Sequence, residues 1–258
     1  MEMVSAAKLR RAQSSVEAAR PYASDLRAVL ANLSQASGEA LHPAFARREV
    51  RNRAIILITS DRGLCGAFNA NLIRASETRM RESAKPTKLV LLGKKGFDYF
   101  RRRSASILSS STDLGGAASW KFAEQTSGML ASRMEAGEID EIDLIYTKFK
   151  SALNRAVAVE TYLPLGREAE GAGRDYLYEP GPEEILARIV PYFLAMRLFM
   201  ALAESAASEF GARMIAMGSA TKNANEMIHD LTLHMNRTRQ ATITREIVEI
   251  VAGAEALK

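Results

Sequence analysis

A chain of 258 residues, 47% apolar and 25% charged, can bury one good core plus an extension, or two small domains, and is not a disordered chain. Its net charge of +5 admits anionic partners, but the basic residues are dispersed and no Lys/Arg stripe is interleaved with aromatics, so no nucleic-acid partner is expected. Cys65 is the only cysteine, which excludes an intramolecular disulfide and a cysteine-cluster metal site and points to a reducing, cytosolic compartment.

The segment Met1 to Arg11 mixes Glu2, Lys8, Arg10 and Arg11 with small residues and lacks the apolar centre of a secretory signal. From Met1 to about Ser34, apolar or small residues recur at Leu9, Ala12, Val16, Ala19, Ala23, Leu26, Leu30 and Leu33. Steps of three and four are coiled-coil spacing, so one long helix is predicted, bent where Pro21 removes a backbone hydrogen bond.

Between Ala54 and Leu165 the pattern changes to short apolar and β-branched runs, Ile55 to Thr59, Lys88 to Leu92, Ile142 to Tyr146 and Val157 to Tyr162. Helices are predicted over Ala67 to Ser83, Gly96 to Arg103 and Ala117 to Ala136, which makes this an α/β module with parallel strands and an antiparallel hairpin at one edge. Gly166 to Gly181 is glycine-rich and is expected to be a loop. The most apolar run, Ile55 to Ile58, is of strand length, and no stretch reaches the 18 or more uncharged apolar residues of a membrane helix, so no membrane span is expected.

From Pro182 to Ala252 the only further proline is Pro191, and a helix of roughly 100 Å is predicted at about 1.5 Å per residue. It carries two heptad series. One is Ala203, Phe210, Met217, Ala224, Leu231 and Thr238, and the other is Ala207, Met214, Thr221, Ile228, Met235 and Thr242. A stripe this narrow is a seam for one partner helix, and the N-terminal helix is the natural partner. His229 and His234 are five apart on this helix and diverge, so no metal site is expected there.

Asp61-Arg62-Gly63-Leu64-Cys65-Gly66 sits at a strand-to-helix turn, where phosphates often bind, which keeps a nucleotide-binding enzyme as one reading. Against it stand the missing GxGxxG and Gly-Lys-Ser/Thr patterns and the carboxylate of Asp61, and Gly93-Lys94-Lys95-Gly96 is no Walker motif either. An unrelated coiled-coil scaffold would share the long helices but has no reason to carry this loop.

Ser60 through Asn69 closely resembles the signature loop of F-type ATP synthase gamma subunits. So do Ala207 to Glu209, Arg213 to Met217, and Asn236 through Arg239-Gln240-Ala241 to Glu249 and Ala254 of the last helix. Arg20-Pro21-Tyr22 and Asp175 to Pro180 fit the same family.

The resemblance implies an α/β fold, a Rossmann-like foot domain joined to a long antiparallel coiled coil of the N- and C-terminal helices, divided as residues 1–50, 51–180 and 181–258. It implies the central rotor shaft of the proton-translocating ATP synthase. The shaft couples rotation of the membrane c-ring to conformational change at the catalytic sites of the alpha and beta subunits, and its foot touches the epsilon subunit. ATP, ADP and magnesium belong to the alpha and beta subunits, and this chain is expected to bind no cofactor or metal and to have no catalytic residue. The complex would place it at the bacterial inner (plasma) membrane, peripheral on the cytoplasmic face. By resemblance, Arg239, Gln240, Thr244 and Glu246 meet the beta subunits' catch region, and Met1 and Arg213 face the moving beta lever. In that family the first helix is expected to begin about six turns before the position of Met1, with a basic segment.

Overall fold

A strand that is apolar on both faces can be buried only if both faces are covered. In this computed structural model β1 (Arg53–Ile58) is such a strand, at the middle of a five-stranded sheet. The structure describes residues 1–36, 42–83, 85–115, 118–166, 179 and 181–256. The glycine-rich segment after Gly166 and the Asp175 to Pro180 step thus lie almost wholly outside the described residues. Around β1 the chain supplies α1 (Glu2–Ala36), α2 (Phe68–Ser83), β2 (Thr87–Leu92), α3 (Lys94–Arg101), β3 (Ile107–Ser111), α4 (Trp120–Glu135), β4 (Glu141–Phe149), β5 (Arg155–Leu163) and α5 (Pro182–Glu255).

The sheet order is β3-β2-β1-β4-β5, parallel except for β5, which pairs antiparallel with β4 at the edge. The parallel strands and the edge hairpin are as expected from the sequence. Strand β3 is an addition: Ile107-Leu108-Ser109-Ser110-Ser111 has too few β-branched residues to signal a strand, and its pairing with β2 provides what its side chains do not. Helix α3 starts at Lys94, two residues before the predicted start.

Alternation along β1 sends its side chains into two cores. Ile55 and Leu57 join Leu89, Leu91, Leu72 and Phe100 under α2 and α3. Ile56 and Ile58 join Val90, Leu144, Leu130, Leu194 and Leu198 under α4 and α5, where Leu30 and Leu33 of α1 also pack. The eight stripe positions of α1 from Leu9 to Leu33 are all buried or half-buried, and Pro21 sits within the helix. Lys8 lies over the ring of Phe210 at 5.5 Å and Tyr22 meets Tyr192 at 6.0 Å, so α1 runs antiparallel to this part of α5.

The chain divides into a unit of Met1–Met214 and a second of Ile215–Lys258, the later part of α5. Helix α5 holds an 18-residue window with a mean hydropathy of 1.7, long and apolar enough to cross a membrane by length and composition, although Arg188 and Arg197 interrupt its apolar run. Half of that window is buried inside the protein. Packing accounts for such apolarity in α5, because Leu186, Val190, Leu194 and Leu198 lie in the sheet's core.

Buried polar groups on α5 have a different task. Pairing of β1 with β4 stops at Leu57 and Ile145, while β4 continues to Phe149. The edge left open carries backbone groups that need partners. Ser205 Oγ accepts from Thr147 N (3.2 Å), Ser208 Oγ donates to Thr147 O (3.2 Å), and Glu204 accepts from Phe149 N (3.2 Å). On the other side of the hairpin, Arg197 donates to Tyr162 O and Thr161 O, both at 3.0 Å, and the Tyr162 hydroxyl donates to Leu194 O at 2.7 Å.

Three outcomes are expected. Ser205→Ala with Ser208→Ala strands both backbone groups of Thr147 and should lower unfolding free energy by about 2–4 kcal/mol in chemical denaturation. Burial raises the Glu204 carboxyl, more than the Phe149 N–H and the nearby Lys148 and Arg20 lower it. A raised acid contributes full stability below its unfolded value and loses it as pH rises through its folded value, so Glu204 costs stability at neutral pH. Glu204→Gln should therefore raise Tm at pH 7 and leave it unchanged near pH 4. Gly93, at φ +107°, directly abuts the Thr59 carbonyl, so Gly93→Ala should destabilise the unit by about 2 kcal/mol or more.

Candidate functional site

In a parallel sheet, loops leaving the strand ends converge on one edge. Here the loops after β1, β2 and β3 meet the start of α1 and the Glu209–Arg213 turn of α5. The loop after β1 is folded by its own side chains. Asn69 accepts from Ser60 N at 3.0 Å and donates to Ser60 Oγ at 2.8 Å and to Cys65 Sγ at 3.2 Å, while Ser60 Oγ donates to Arg62 O at 2.7 Å. Cys65 is buried, and its Sγ is one of the acceptors that hold the loop together. Gly66 takes φ +58°, open to glycine at no steric cost, and Leu64 takes φ +62° with its side chain exposed.

Asp61 Oδ1 accepts from Lys94 N at 2.9 Å and from Asp113 N at 3.1 Å. Its carboxylate thus occupies the first backbone amide of α3, the position a phosphate would take at a helix start. Gly96 N donates to Thr59 Oγ1 at 2.9 Å, and a Cβ at Gly96 would press on the same atom. The glycines of Gly93-Lys94-Lys95-Gly96 therefore serve the close approach of α3 to the end of β1.

Arg213 is buried. Its Nε donates to Gly63 O and its Nη2 to Arg62 O, both at 3.2 Å, and Nη2 also reaches Glu209 at 2.6 Å. Burial raises the Glu209 carboxyl, and the hydrogen bond and charge of Arg213 draw it back only in part. The open cavity beside this pair, about 370 Å³, is lined by Met1, Lys8, Asp61, Leu64, Asp113 and Arg213 among others. Its walls mix both signs of charge. His42, the one histidine in this unit, is elsewhere and accepts from Ala44 N through Nδ1 (3.2 Å).

Met1, Arg213 and Asp61 to Leu64 are thus brought together around one cavity, with Cys65 and Gly66 completing the loop. Met1 is exposed, whereas Arg213 is an internal tie between α5 and the loop, which suits an anchor better than an exposed contact. Arg239, Gln240, Thr244 and Glu246 are exposed on the second unit. Asp113 and Glu209 were not singled out from the sequence as site residues. A charged residue among the alanines of the α5 seam was the available signal for Glu209.

Residues 1–257 match the family model described as ATP synthase. The ATP synthase gamma chain of Moorella thermoacetica is 50% identical over 260 residues, covering 100% of this chain and 92% of that protein. That of Anaeromyxobacter sp. strain K is 45% identical over 267 residues with the same coverage. Among solved structures, a chain of the Tetrahymena thermophila mitochondrial ATP synthase central stalk and c-ring matches with a TM-score of 0.68 at 25% identity, over 86% of this chain and 97% of that one. A chain of the Euglena gracilis mitochondrial ATP synthase shares the fold, with a TM-score of 0.62 at 20% identity over 98% of this chain and 95% of that one. The chain belongs to the ATP synthase gamma-chain family.

Proposed function

We propose that this chain is the central rotor shaft of an F-type, proton-translocating ATP synthase. It passes rotation of the membrane c-ring to the alpha and beta subunits, whose catalytic sites change conformation in turn. The observation that carries the reading is the 50% identity to a gamma chain across the whole sequence. The geometry supports it, because the first unit grips α5 by directional bonds. Close apolar packing already resists rotation of a helix about its axis, and the ties of Arg197, Glu204, Ser205, Ser208 and Arg213 add bonds with direction.

On this reading residues 51–180 form the foot, which meets the epsilon subunit and the c-ring, and residues 1–50 and 181–258 form the shaft. Met1, Arg239, Gln240, Thr244 and Glu246 contact the stator ring, and Arg213 holds the shaft to the loop at the neck. The chain has no catalytic role and binds no cofactor, ATP, ADP and magnesium being held by the alpha and beta subunits. It is carried at the bacterial inner (plasma) membrane, peripheral on the cytoplasmic face.

The direct test is to tag the C-terminus, solubilise membranes gently and assay the eluate. Recovery of alpha and beta subunits with ATPase activity supports the reading, and recovery of the lone chain overturns it. Two variants refine it. The quadruple Arg239→Ala, Gln240→Ala, Thr244→Ala, Glu246→Ala should lower ATP-driven proton pumping several-fold while unfolding changes by no more than about 0.5 kcal/mol, since all four side chains are exposed. Arg213→Ala leaves Glu209 buried without its cation and should cost about 3–5 kcal/mol of stability, read by chemical denaturation.

A further inference from the structure

Between α1, α5 and the end of β5, the first unit holds a second cavity, of about 150 Å³. Leu30, Phe45, Leu165 and Phe193, all buried, give it apolar walls, and Arg197 lines it together with the exposed Arg27. Among the described residues no carboxylate lines it. The cavity therefore offers positive charge beside apolar surface, with no negative charge in its walls.

Arg197 is held in place without being saturated. Its Nη1 donates to Tyr162 O and its Nη2 to Thr161 O, both at 3.0 Å, and its guanidinium lies 5.3 Å from the Tyr162 ring and 5.9 Å from the Phe193 ring. A guanidinium has five N–H donors, so with two spent on these carbonyls three have no hydrogen-bond acceptor among the described residues. Its one ion pair there, with Glu160 Oε2, is loose at 3.9 Å, and that carboxylate also accepts from the Tyr146 hydroxyl at 3.1 Å. Burial pushes the guanidinium below its ordinary value; Tyr162 and Glu160 offset this only in part, and Arg27 adds to it. A half-buried cation in this state gains from an anion brought against its remaining donors.

The walls select the kind of anion. Inorganic phosphate would leave the four apolar side chains against water, and a neutral hydrocarbon would leave the guanidinium donors unmet. An apolar cavity of about this size admits one benzene ring, and a carboxylate matches the guanidinium fork with charge-assisted bonds. We propose that this cavity binds a small organic monocarboxylate with an apolar body the size of one ring. Such a ligand touches α1, α5 and the end of β5 at once, so Tm should rise with its concentration. The site belongs to this chain alone and is independent of the rotor-shaft reading.

The test titrates the full chain with benzoate by isothermal calorimetry at neutral pH and follows Tm in parallel. Benzoate is expected to bind at millimolar concentration or below and to raise Tm. Benzyl alcohol, which has the ring without the charge, and inorganic phosphate, which has the charge without the ring, should each bind about ten-fold more weakly or worse. Arg197→Gln should weaken benzoate about ten-fold or more, and Arg197→Lys, which keeps the charge but not the fork, should fall between Gln and the parent. Because Arg197 also holds β5, the decisive variant is Ala31→Leu, which spares Arg197 and fills part of the cavity. It should lose benzoate binding while circular dichroism shows an unchanged fold. Lys8→Gln, at the larger cavity beside Arg213, should bind as the parent does. No benzoate binding by the parent, phosphate binding as tight as benzoate, or parent-like binding by Ala31→Leu or Arg197→Gln overturns the proposal. Loss of binding in Lys8→Gln also overturns it, by placing the ligand at the larger cavity.

Discussion

The fold depends on how one helix is fixed to the open side of one strand. Strand β4 runs four residues past its last pair with β1, and α5 covers the overhang with a carboxylate and two hydroxyls in place of a further strand. Each of these groups is costly where it sits, since burial disfavours polar and charged side chains. They persist because they satisfy backbone groups that no apolar residue could satisfy. A helix bonded in this way has one rotational setting on the sheet. The Arg213 tie, more than one turn further on, repeats that setting at the loop after β1. Torque applied to such a helix is met by bonds with direction, and a shaft needs that property at its foot.

Beyond Met214 the same helix follows different rules. In the second unit Ile228, Leu231 and Met235 are 62%, 65% and 58% exposed, where the heptad pattern predicts a seam. The threonines are arranged for an exposed helix. Thr221, Thr232, Thr238 and Thr242 each donate to the carbonyl four residues before, which satisfies the hydroxyl within the helix. A side chain so occupied has no donor to spend on an outside acceptor. Met227, Leu233, Ile243, Ile247 and Ile250 are exposed beside these threonines, so this helix offers a partner apolar area more than hydroxyl donors.

Much of this was legible in the sequence because it follows from periodicity. The spacing of Leu9 to Leu33 on α1 located its buried face, and the unbroken apolar run at Ile55 to Ile58 located the central strand. Strand β3 was not legible, because Ile107 to Ser111 is held by its neighbour's backbone and not by its own pattern. The apolar window of α5 was also missed, since Pro191, Arg188 and Arg197 interrupt it for a reader counting uncharged residues. At the site, the loop from Ser60 to Asn69 was recognisable as a unit. Its tie to Arg213 is a contact across about 150 positions of sequence, and nothing local distinguishes a buried helix arginine from an exposed one.

The same loop shows why a sheet of this kind can lose the ligand its topology invites. Parallel strands and a following helix create a phosphate-ready edge wherever glycine lets the backbone approach. Here both glycines that start α3 are present, yet Thr59 fills the space they open and Asp61 takes the helix's first amide. A carboxylate supplied by the chain itself satisfies the helix start permanently and also gathers the backbone of Asp113 from the next loop. An edge built to exchange ligands would leave those donors free. This one spends them on binding three loops to each other and, through Arg213, to the helix that the foot must hold, so the position where related architectures place chemistry serves here as a joint.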